Sequence, residues 1–535
     1  MVALTDAPHR LTEEAPPHPD QRQLIQSLCQ PGVLDSGTQP VEVMETHISY
    51  VLLAGAHAYK IKKAVDLQFL DFSTLSARRR DCLEELRLNR PLAPSVYLEV
   101  VAITGTMEAP VIGGDGPVLE YALKMRQFRQ DGLFSAMLQR GALTGAHIDQ
   151  LATVVASFHQ STGRADGDAP YGRLHDILQP ALENFAQLLA IVDEPRERTE
   201  LEALRTWTGG EHTTLAAIFL HRRGQGFVRE CHGDLHLGNI ALIDGRVTLF
   251  DRLEFNASMR WIDVMNDVAL VVADLQEHQR PDLAARFVSA YLEATGDYEG
   301  LCVLRFYLVY RAMVRAKVAR FRGRQLKSRD VQEQIDAEYR RFIALAQRLG
   351  QRPQAAIIIT HGLAGSGKTT CAQWLVEHTA AVRIRTDVER KRLHGFAGLA
   401  STASNVGEGL YTEQATRQTY GQVCALAGAV ARAGYRVVVD GAFLKRWQRD
   451  MFRETASALG VPFVILAVEA PDTTLRARIA GRRQRGDDPS EATIEVLDAQ
   501  RRALEPLDLE EQRFFMSWED AAAPTGALFN RGDTS

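Results

Sequence analysis

The sequence lacks the cysteine pairs, long apolar runs and basic excess that would mark several classes of protein. Its six cysteines stand far apart, and no CxxC pair occurs in 535 residues. This spacing argues against a zinc knuckle or a disulfide framework and is typical of reduced thiols. The longest apolar run, Val461 to Val468, is strand-sized and far below the roughly 18 residues that span a membrane. We therefore expect a cytoplasmic protein with no membrane partner.

Charge and composition narrow the class further. Lys and Arg number 62 against 67 Asp and Glu, which gives a formal net charge of −5. Because nucleic-acid-binding domains usually carry a basic excess, we expect no nucleic-acid partner. Hydrophobic residues make up 45% of the chain and charged residues 24%, so a sizeable core is possible. The length predicts two to four folding units at about 150 residues each.

The order of predicted strands and helices divides the chain into five segments. A helix that stops at Gly350, followed by Pro353, marks the sharpest boundary. Before it, a sheet-rich part is followed by a helical part, and after it strands alternate with helices. This outline predicts an α+β kinase-like bilobal domain followed by an α/β domain with a parallel sheet. The segments are a flexible tail (1–20), a small sheet-rich lobe (21–126), a helical lobe (127–350), the α/β domain (355–520) and a second tail (521–535).

A complete phosphate-binding loop stands at the start of the α/β domain. The string GLAGSGKT matches G-x-x-x-x-G-K-[ST], follows an apolar strand pattern and precedes a helix pattern. Glycines let backbone N–H groups surround phosphates, and the helix N-terminus adds positive potential. Lys368 is predicted to reach the β and γ phosphates of ATP, and Thr369 to hold Mg²⁺. The flanking strand and helix disfavour the alternative of a glycine-rich turn without a ligand. The predicted nucleotide-binding residues are Gly362, Leu363, Ala364, Gly365, Ser366, Gly367, Lys368 and Thr369.

Two acids and a group of arginines complete the prediction for this domain. Asp440 follows YRVVV and Asp387 follows AVRIRT, and the carboxyl ends of parallel strands line the ligand crevice. Asp440 is a candidate to orient Mg²⁺. Asp387 is a candidate to accept a proton from a substrate hydroxyl, with helix capping as the alternative. Arg478 and Arg482 belong to an arginine cluster that is either a lid over the phosphates or a solvated face.

These features resemble the small P-loop kinases of the gluconate kinase, chloramphenicol phosphotransferase and zeta-toxin type. The resemblance covers about 165 residues. It rests on the phosphate-binding loop, on D-x-x-R at Asp387 and Arg390, and on the lid arginines. It implies an ATP-dependent kinase or ATPase domain.

A second phosphate-transfer pattern lies in the helical lobe. The string HGDLHLGN places Asp234 and Asn239 five residues apart, as in the kinase catalytic loop H-R-D-x-x-x-x-N. A hairpin with Asp-Gly at its turn follows and ends at Asp251. This order predicts that Asp234 orients and deprotonates an acceptor hydroxyl, while Asn239 and Asp251 hold Mg²⁺. The alternative is a surface hairpin with incidental acids.

The small lobe supplies candidates for a lysine that contacts the α and β phosphates. Lys60 and Lys62 share one face of a predicted strand because side chains alternate. The apolar residues that usually precede this lysine favour Lys62 over Lys60. Glu85, on the following helix, predicted over 76–89, is the predicted ion partner, with Glu84 as the second choice. A solvated strand edge is the alternative, and the sequence has no G-x-G-x-x-G motif and no glycine after Asp251.

The HGD-x-x-x-x-N loop resembles the aminoglycoside phosphotransferase family over about residues 40–345. Asp263 and Asp267 match the acidic helix start of that family, although helix capping is the favoured role for both. The phrases YKIKKAVDLQFLDFSTL, HGDLHLGN, LFDRLEFN and RAMVRAKVA resemble a bacterial family of bifunctional proteins. That family joins an aminoglycoside-phosphotransferase-like half to a P-loop ATPase or kinase half, and the resemblance spans nearly the whole chain.

These patterns predict a phosphotransferase with two ATP sites and Mg²⁺ as cofactor. Each half would transfer a γ-phosphoryl group to a hydroxyl of a small molecule, such as a sugar or an aminoglycoside. One alternative is a P-loop ATPase that regulates a kinase-like substrate-binding domain, and another is an inactive first half. Eight basic residues between Arg311 and Arg329 would hold an anionic substrate, dock the P-loop domain or form a solvated helical face.

Overall fold

The computed structural model describes residues 19–34, 40–66, 70–325, 329–352, 354–396, 410, 412–485 and 493–522. The chain forms two compact units. Unit 1 comprises Met1–His278 and Val303–Gly350, and unit 2 comprises Gln279–Cys302 and Gln351–Ser535. One change of unit therefore lies next to the break expected after residue 350. The inclusion of Gln279–Cys302 in unit 2 was not expected from the sequence.

Unit 1 begins with an antiparallel sheet in the order β1-β2-β3-β6-β4-β5. One face packs on helix α1 (Pro19–Leu28) through Leu52 and Ile61, and the other carries Val51, Leu123 and the two lysines of β3. Lys60 pairs in register with Val51 and with Leu123. The strands are β1 (Glu42–Glu45), β2 (Ser49–Ala54), β3 (His57–Lys62), β4 (Tyr97–Gly105), β5 (Pro110–Ile112) and β6 (Glu120–Arg126).

Helix α2 (Leu75–Asn89) lies against this sheet and confirms the helix predicted over 76–89. Thr74 caps its N-terminus because the Thr74 hydroxyl accepts the Ala77 N–H at 3.2 Å. Asp81 and Glu85 lie one turn apart on the buried side of the helix. The helix therefore brings two carboxylates to β3.

The rest of unit 1 is helical, as predicted, with two small antiparallel pairs. The expected hairpin is β8 (Ile240–Ile243) with β9 (Arg246–Leu249), and β7 (Val228–Glu230) pairs with β10 (Trp261–Asp263). The helices are α3 (Phe134–Gln139), α4 (Gly145–Ser161), α5 (Leu174–Leu189), α6 (Pro195–Gly224), α7 (Ala257–Arg260), α8 (Val264–Glu277), α10 (Leu301–Gln325) and α11 (Arg329–Gly350). Their core includes Phe185, Val309, Met313 and Phe342.

Unit 2 contains the predicted parallel sheet, in the order β12-β13-β11-β14-β15. Its central strands are buried, as expected for a sheet covered on both faces. The strands are β11 (Ala356–His361), β12 (Val382–Arg385), β13 (Arg436–Asp440), β14 (Phe463–Ala467) and β15 (Phe515–Ser517). The helices are α9 (Pro281–Thr295), α12 (Lys368–Thr379), α13 (Thr386–Leu393), α14 (Glu413–Arg432), α15 (Arg446–Leu459), α16 (Asp472–Arg485), α17 (Ile494–Ala503) and α18 (Trp518–Ala521).

Helix α9 packs on the edge of this sheet. Ser289 Oγ accepts the Arg383 N–H at 3.1 Å, and Arg286 pairs with Glu377 of α12 at 2.6 Å. These bonds tie a helix from the middle of the chain to the first α/β crossover of unit 2. Elsewhere, all six cysteines have free thiols, and no helix in the described ranges is long and apolar enough to cross a membrane.

Candidate active sites

Lys60 lies at the centre of the first candidate site. Its ammonium bonds to Glu85 Oε1 at 2.8 Å and to Asp251 Oδ1 at 2.8 Å. Burial opposes the charged lysine, but the Asp251 and Glu85 charges outweigh it and hold the pKa of Lys60 above its usual value. The arrangement joins strand β3, helix α2 and the end of hairpin β8–β9 through one ammonium group.

Lys62, two residues along the same strand, is fully buried in a cage of carboxylates. Its ammonium contacts Asp81 at 2.9 Å, Glu85 at 2.6 Å and also Glu254. Burial raises the pKa of Glu254 to about 8, so this carboxyl group is largely protonated at neutral pH. The arrangement favours Lys60 over Lys62 as the phosphate-contacting lysine, against our preference from the sequence, because Lys60 lines the cavities described below.

The catalytic-loop residues lie together as the spacing predicts. Asn239 Nδ2 donates to Asp234 O at 3.0 Å and to Asp234 Oδ2 at 3.3 Å. Burial raises the pKa of Asp234, but His236, His232 and Arg315 lower it by more, so the carboxyl group is charged at neutral pH. Asn239 Oδ1 is buried and has no hydrogen-bond partner, which leaves an oxygen ligand available to a cation.

Helix α8 holds this loop from behind. Asp267 accepts the N–H of His232 at 2.6 Å and that of Gly233 at 2.9 Å. Asp274, two turns further, accepts the N–H of Leu237 at 2.8 Å. Asp263 caps α8 by accepting the Met265 N–H at 2.9 Å. Capping is thus the role of Asp263, as favoured above, but Asp267 does not cap the helix. It is a positioning residue.

Two adjoining cavities share Lys60, Val51 and Asp251. The larger one is almost wholly apolar and is formed by the sheet, the irregular segment that follows β6 and the end of the hairpin. The smaller one is lined by charged side chains, Asp234 among them, as well as by apolar ones. An apolar slot next to a cavity with charged side chains suits a nucleotide base and its phosphates, respectively. The apolar cavity is lined by residues that include Met44, Leu53, Ala58, Tyr97, Met125, Phe128 and Phe250; the smaller one also by Thr46, Ser49 and Glu254.

The phosphate-binding loop of unit 2 joins β11 to α12. Gly362 has φ +152° and Gly367 has φ +110°, a backbone conformation that favours glycine. A Cβ at Gly362 would lie 2.3 Å from the Val468 carbonyl oxygen, so no other residue fits there. Lys368 Nζ donates to Leu363 O at 2.7 Å. Ser366 Oγ is buried without a hydrogen-bond partner, so its hydroxyl is available to bind a ligand.

The predicted acids of unit 2 lie at or just after the carboxyl ends of two strands of the parallel sheet. Asp440 ends β13 and is buried, and Arg385, the last residue of β12, approaches its Oδ2 at 3.8 Å. Asp387 lies in the first turn of α13, where Arg385 occupies the N-cap position. Asp387 is therefore the second residue of the helix and not its N-cap residue.

Of the two predicted lid arginines, Arg478 has a described side chain. Arg478 Nη1 donates to Gly365 O at 3.2 Å and to Ser366 O at 3.0 Å, so it contacts the phosphate-binding loop. The side chain of Arg482 lies outside the described residues. Arg390 donates to Leu410 O at 2.9 Å and turns toward α14.

Two stretches of the chain match family models. Residues 74–304 match the model of the phosphotransferase enzyme family, and residues 357–507 match an AAA domain model. The chain joins a phosphotransferase-family domain to a P-loop domain. Gln279–Cys302 fall within the phosphotransferase-family match, although they belong to the compact unit of the P-loop domain.

Two related proteins are similar to this chain over most of its length. A protein of Mycobacterium tuberculosis strain H37Rv, described as uncharacterized, is 29% identical over 459 residues, which cover 86% of this chain and 89% of the relative. An uncharacterized protein of Mycobacterium bovis gives the same values. The similarity therefore extends along most of both chains.

Several solved structures are similar to part of the chain. A choline kinase from Cryptosporidium parvum has a TM-score of 0.37 at 14% identity, over 62% of this chain and 96% of its own. A choline/ethanolamine kinase family protein from Mesorhizobium loti has a TM-score of 0.36 at 12% identity, over 61% and 99%. A gluconokinase from Sinorhizobium meliloti has a TM-score of 0.22 at 18% identity, over 31% and 82%.

Sequence reasoning missed three contributors to the phosphotransferase-family site. Asp274 lies in an apolar helix pattern and gave no signal of its own. Asp81 and Glu254 are 173 residues apart, and only the fold brings both to Lys62. Asp81 and Glu85 stand at i and i+4 on one helix face, and this spacing is the signal that would have placed Asp81 beside Glu85.

Proposed function

We propose that the chain is an ATP- and Mg²⁺-dependent phosphotransferase with one nucleotide site in each domain. Each domain would transfer the γ-phosphoryl group to a hydroxyl of a small molecule. The observation that carries this proposal is the convergence of Lys60, Asp234 and Asp251 on one cavity. We further propose that the protein acts in the cytoplasm, which agrees with its free thiols.

In the phosphotransferase-family domain, the proposed roles follow from charge and position. Asp234, ionised at neutral pH, would orient the acceptor hydroxyl and take its proton. Lys60, fixed by Glu85, would contact the nucleotide phosphates. Asn239 Oδ1 and the Asp251 carboxylate would hold Mg²⁺, because both are the hard oxygen ligands that this ion prefers. When bound, the ion neutralises charge on the phosphates.

In the P-loop domain, backbone amides of the loop and Lys368 would hold the phosphates of a second ATP. Thr369 and Asp440 would hold Mg²⁺, and Asp387 would serve as the base for an acceptor hydroxyl. Arg478 would balance charge on the transferred group. The closeness of Arg478 to the loop and the burial of Asp440 at the neighbouring strand end support these roles.

The proposal is tested by an untargeted mass-spectrometric screen with ATP, Mg²⁺ and a metabolite extract enriched with sugars and aminoglycosides. The wild-type chain is compared with Asp234→Asn, Lys368→Ala and the double variant. Asp193→Asn, at an exposed loop position, is the matched control and should leave all products unchanged. We expect each single variant to lose one class of phosphorylated product and the double variant to lose both. Products that survive in the purified double variant would contradict the proposal.

A regulatory ATPase is the second candidate, and one arrangement favours it. Glu293 of α9 approaches Arg385 at 3.8 Å, and Arg385 in turn approaches Asp440 at 3.8 Å. A helix within the phosphotransferase-family match thus contacts the neighbour of a proposed Mg²⁺ ligand in the P-loop domain. In that case Lys368 would support release of free phosphate, with no phosphorylated metabolite dependent on it.

A further inference from the structure

A cavity of about 370 Å³ lies in unit 1 beside the catalytic loop. It shares no lining residue with the two nucleotide cavities. Met259, one of its lining residues, has its carbonyl oxygen 2.9 Å from where a Cβ of Gly233 would lie. Asn266, another lining residue, precedes the Asp267 that holds the loop amides. The cavity is thus large enough for a small molecule and adjoins the residues that hold Asp234.

One wall of this cavity is aromatic. Tyr171 and Trp261 stack with ring centroids 5.4 Å apart and an interplanar angle of 6°. Tyr307 and Tyr310 of α10 add two further rings to the lining. Stacked rings present a flat, apolar surface against which a planar or apolar part of a ligand packs.

Helix α10 contributes buried positive charge to the same cavity. Arg311 is 6% exposed, and its Nε donates to Asn266 Oδ1 at 2.7 Å. Its guanidinium also lies over the Tyr310 ring at 5.5 Å, and no carboxylate of the described residues forms an ion pair with it. Lys317, which is 2% exposed, lines the cavity as well. The charge of Arg311 acts on the ionised Asp267, but no carboxylate of the described residues contacts its guanidinium, so the site favours a ligand that supplies an anion there.

The acids of the lining form no ion pair with Arg311. Asp263 is already neutralised by Arg222, whose Nε and Nη2 donate to its two oxygens at 2.7 Å and 2.9 Å. Asp176 is exposed and Glu183 is only half-buried, so solvent screens both carboxylates. The lining therefore offers Arg311 no buried, unpaired carboxylate, whereas a site for a cationic acceptor would present one.

We propose that this cavity receives the acceptor of the phosphotransferase-family domain, and that this acceptor is anionic. A carboxylate or phosphate-type group would pair with Arg311, while a planar or apolar part would pack on Tyr171 and Trp261. The inference rests on the proposed function, because it takes the cavity beside Asp234 as the acceptor site. It separates this chain from kinases of aminoglycosides or other cationic alcohols.

The test is calorimetry on the full chain with probes that share a hydroxyphenyl ring and differ in the group on its side arm. The probes are 4-hydroxyphenylacetate and 4-hydroxybenzylphosphonate as the two kinds of anion, tyrosol as the neutral compound and tyramine as the cation. We expect at least one anion to bind most tightly and tyramine most weakly. Arg311→Gln should weaken binding of that anion about tenfold to a hundredfold, the value of a lost charged hydrogen bond, and change tyrosol binding less than about twofold.

Two further variants keep the test decisive. Arg311→Lys retains the charge and should keep part of the anion preference even if Arg311→Gln folds poorly. Arg320→Gln, on the same helix but paired with Asp336, is the matched control and should bind every probe as the wild type does. Anions that bind no better than tyrosol and tyramine, or an unchanged preference in both Arg311 variants, would overturn the inference.

Activity distinguishes this failure from failure of the proposed function. An Asp234-dependent product from a cationic or neutral acceptor alone would keep the phosphotransferase and overturn the anionic preference. Arg311-dependent anion binding, together with no Asp234-dependent transfer to any acceptor, would instead overturn the proposed function and leave an anion-binding cavity.

Discussion

Replacing Asp267 with asparagine should loosen the catalytic loop and remove a pH-dependent part of the folding free energy. Burial alone would raise the pKa of Asp267, but the hydrogen bond and charge of His159, together with the charges of His232 and Arg311, lower it to about 2. The two loop amides at 2.6 Å and 2.9 Å also favour the charged form. The loop therefore depends on an ionised carboxylate that has no contact with solvent.

The size of the effect follows from the pKa. A folded-state value near 2, against about 3.9 in an unfolded chain, contributes about 2 to 3 kcal/mol to the free energy of unfolding at neutral pH. Asparagine also turns an N–H group toward one loop amide, which raises the expected loss to about 4 kcal/mol. Because the folded-state pKa is the lower one, the ionic part is complete above about pH 5. It is lost as the pH falls from about 4 toward 2.

The assay is urea unfolding of wild type and Asp267→Asn at pH 7, 5, 4 and 3.5, followed by circular dichroism. The difference in unfolding free energy should be largest at pH 7 and should shrink below pH 4. Asp336→Asn, which alters an exposed acid paired with Arg320, should cost less than about 1 kcal/mol at every pH. A difference that is absent at pH 7, or the same at all four pH values, would refute the role given to the Asp267 carboxylate.

Three further predictions concern the two sites. Lys60→Met should abolish transfer by the phosphotransferase-family domain. Lys62→Met should mainly lower the free energy of unfolding, by about 3 to 5 kcal/mol, because it leaves buried carboxylates without their counter-charge. Equal effects of both variants in product and unfolding assays would contradict this difference. Gly362→Ala should abolish nucleotide binding by the P-loop domain, since its Cβ meets the Val468 oxygen, and calorimetric binding at wild-type affinity would count against it. Removal of Mg²⁺ by a chelator should stop transfer in both domains, and Ca²⁺ should restore it poorly because its oxygen ligands lie farther away; full activity in the chelator would contradict the proposed metal sites.

Local patterns predicted the elements that carry the sites, because strands, helix caps and glycine loops depend on neighbouring residues. The parallel sheet, the helix over 76–89 and the hairpin before Asp251 all occur where the pattern placed them. The alternation of side chains also placed Lys60 and Lys62 on one face. Alternation alone does not distinguish the two lysines, since that choice depends on Glu254 and Asp251, which arrive from nearly 200 residues away.

The unexpected features are all long-range. Asp267 matches a helix-start pattern, and only tertiary structure shows that its carboxylate bonds to a loop 34 residues earlier. Helix α9 has an ordinary amphipathic sequence, which carries no information about which domain it packs against. Arg311 and Arg320 both belong to the basic run of α10, yet Arg311 lines a cavity while Arg320 pairs with Asp336. A charge pattern does not reveal which of its members are buried.

The central claim is that one chain holds two independent nucleotide sites. Its most direct test is the stoichiometry of a non-hydrolysable ATP analogue with Mg²⁺, measured by calorimetry on the full chain. We predict two bound nucleotides for the wild type, one for Lys60→Met, one for Lys368→Ala and none for the double variant. A single bound nucleotide in the wild type, lost in Lys368→Ala and unaffected by Lys60→Met, would contradict the account.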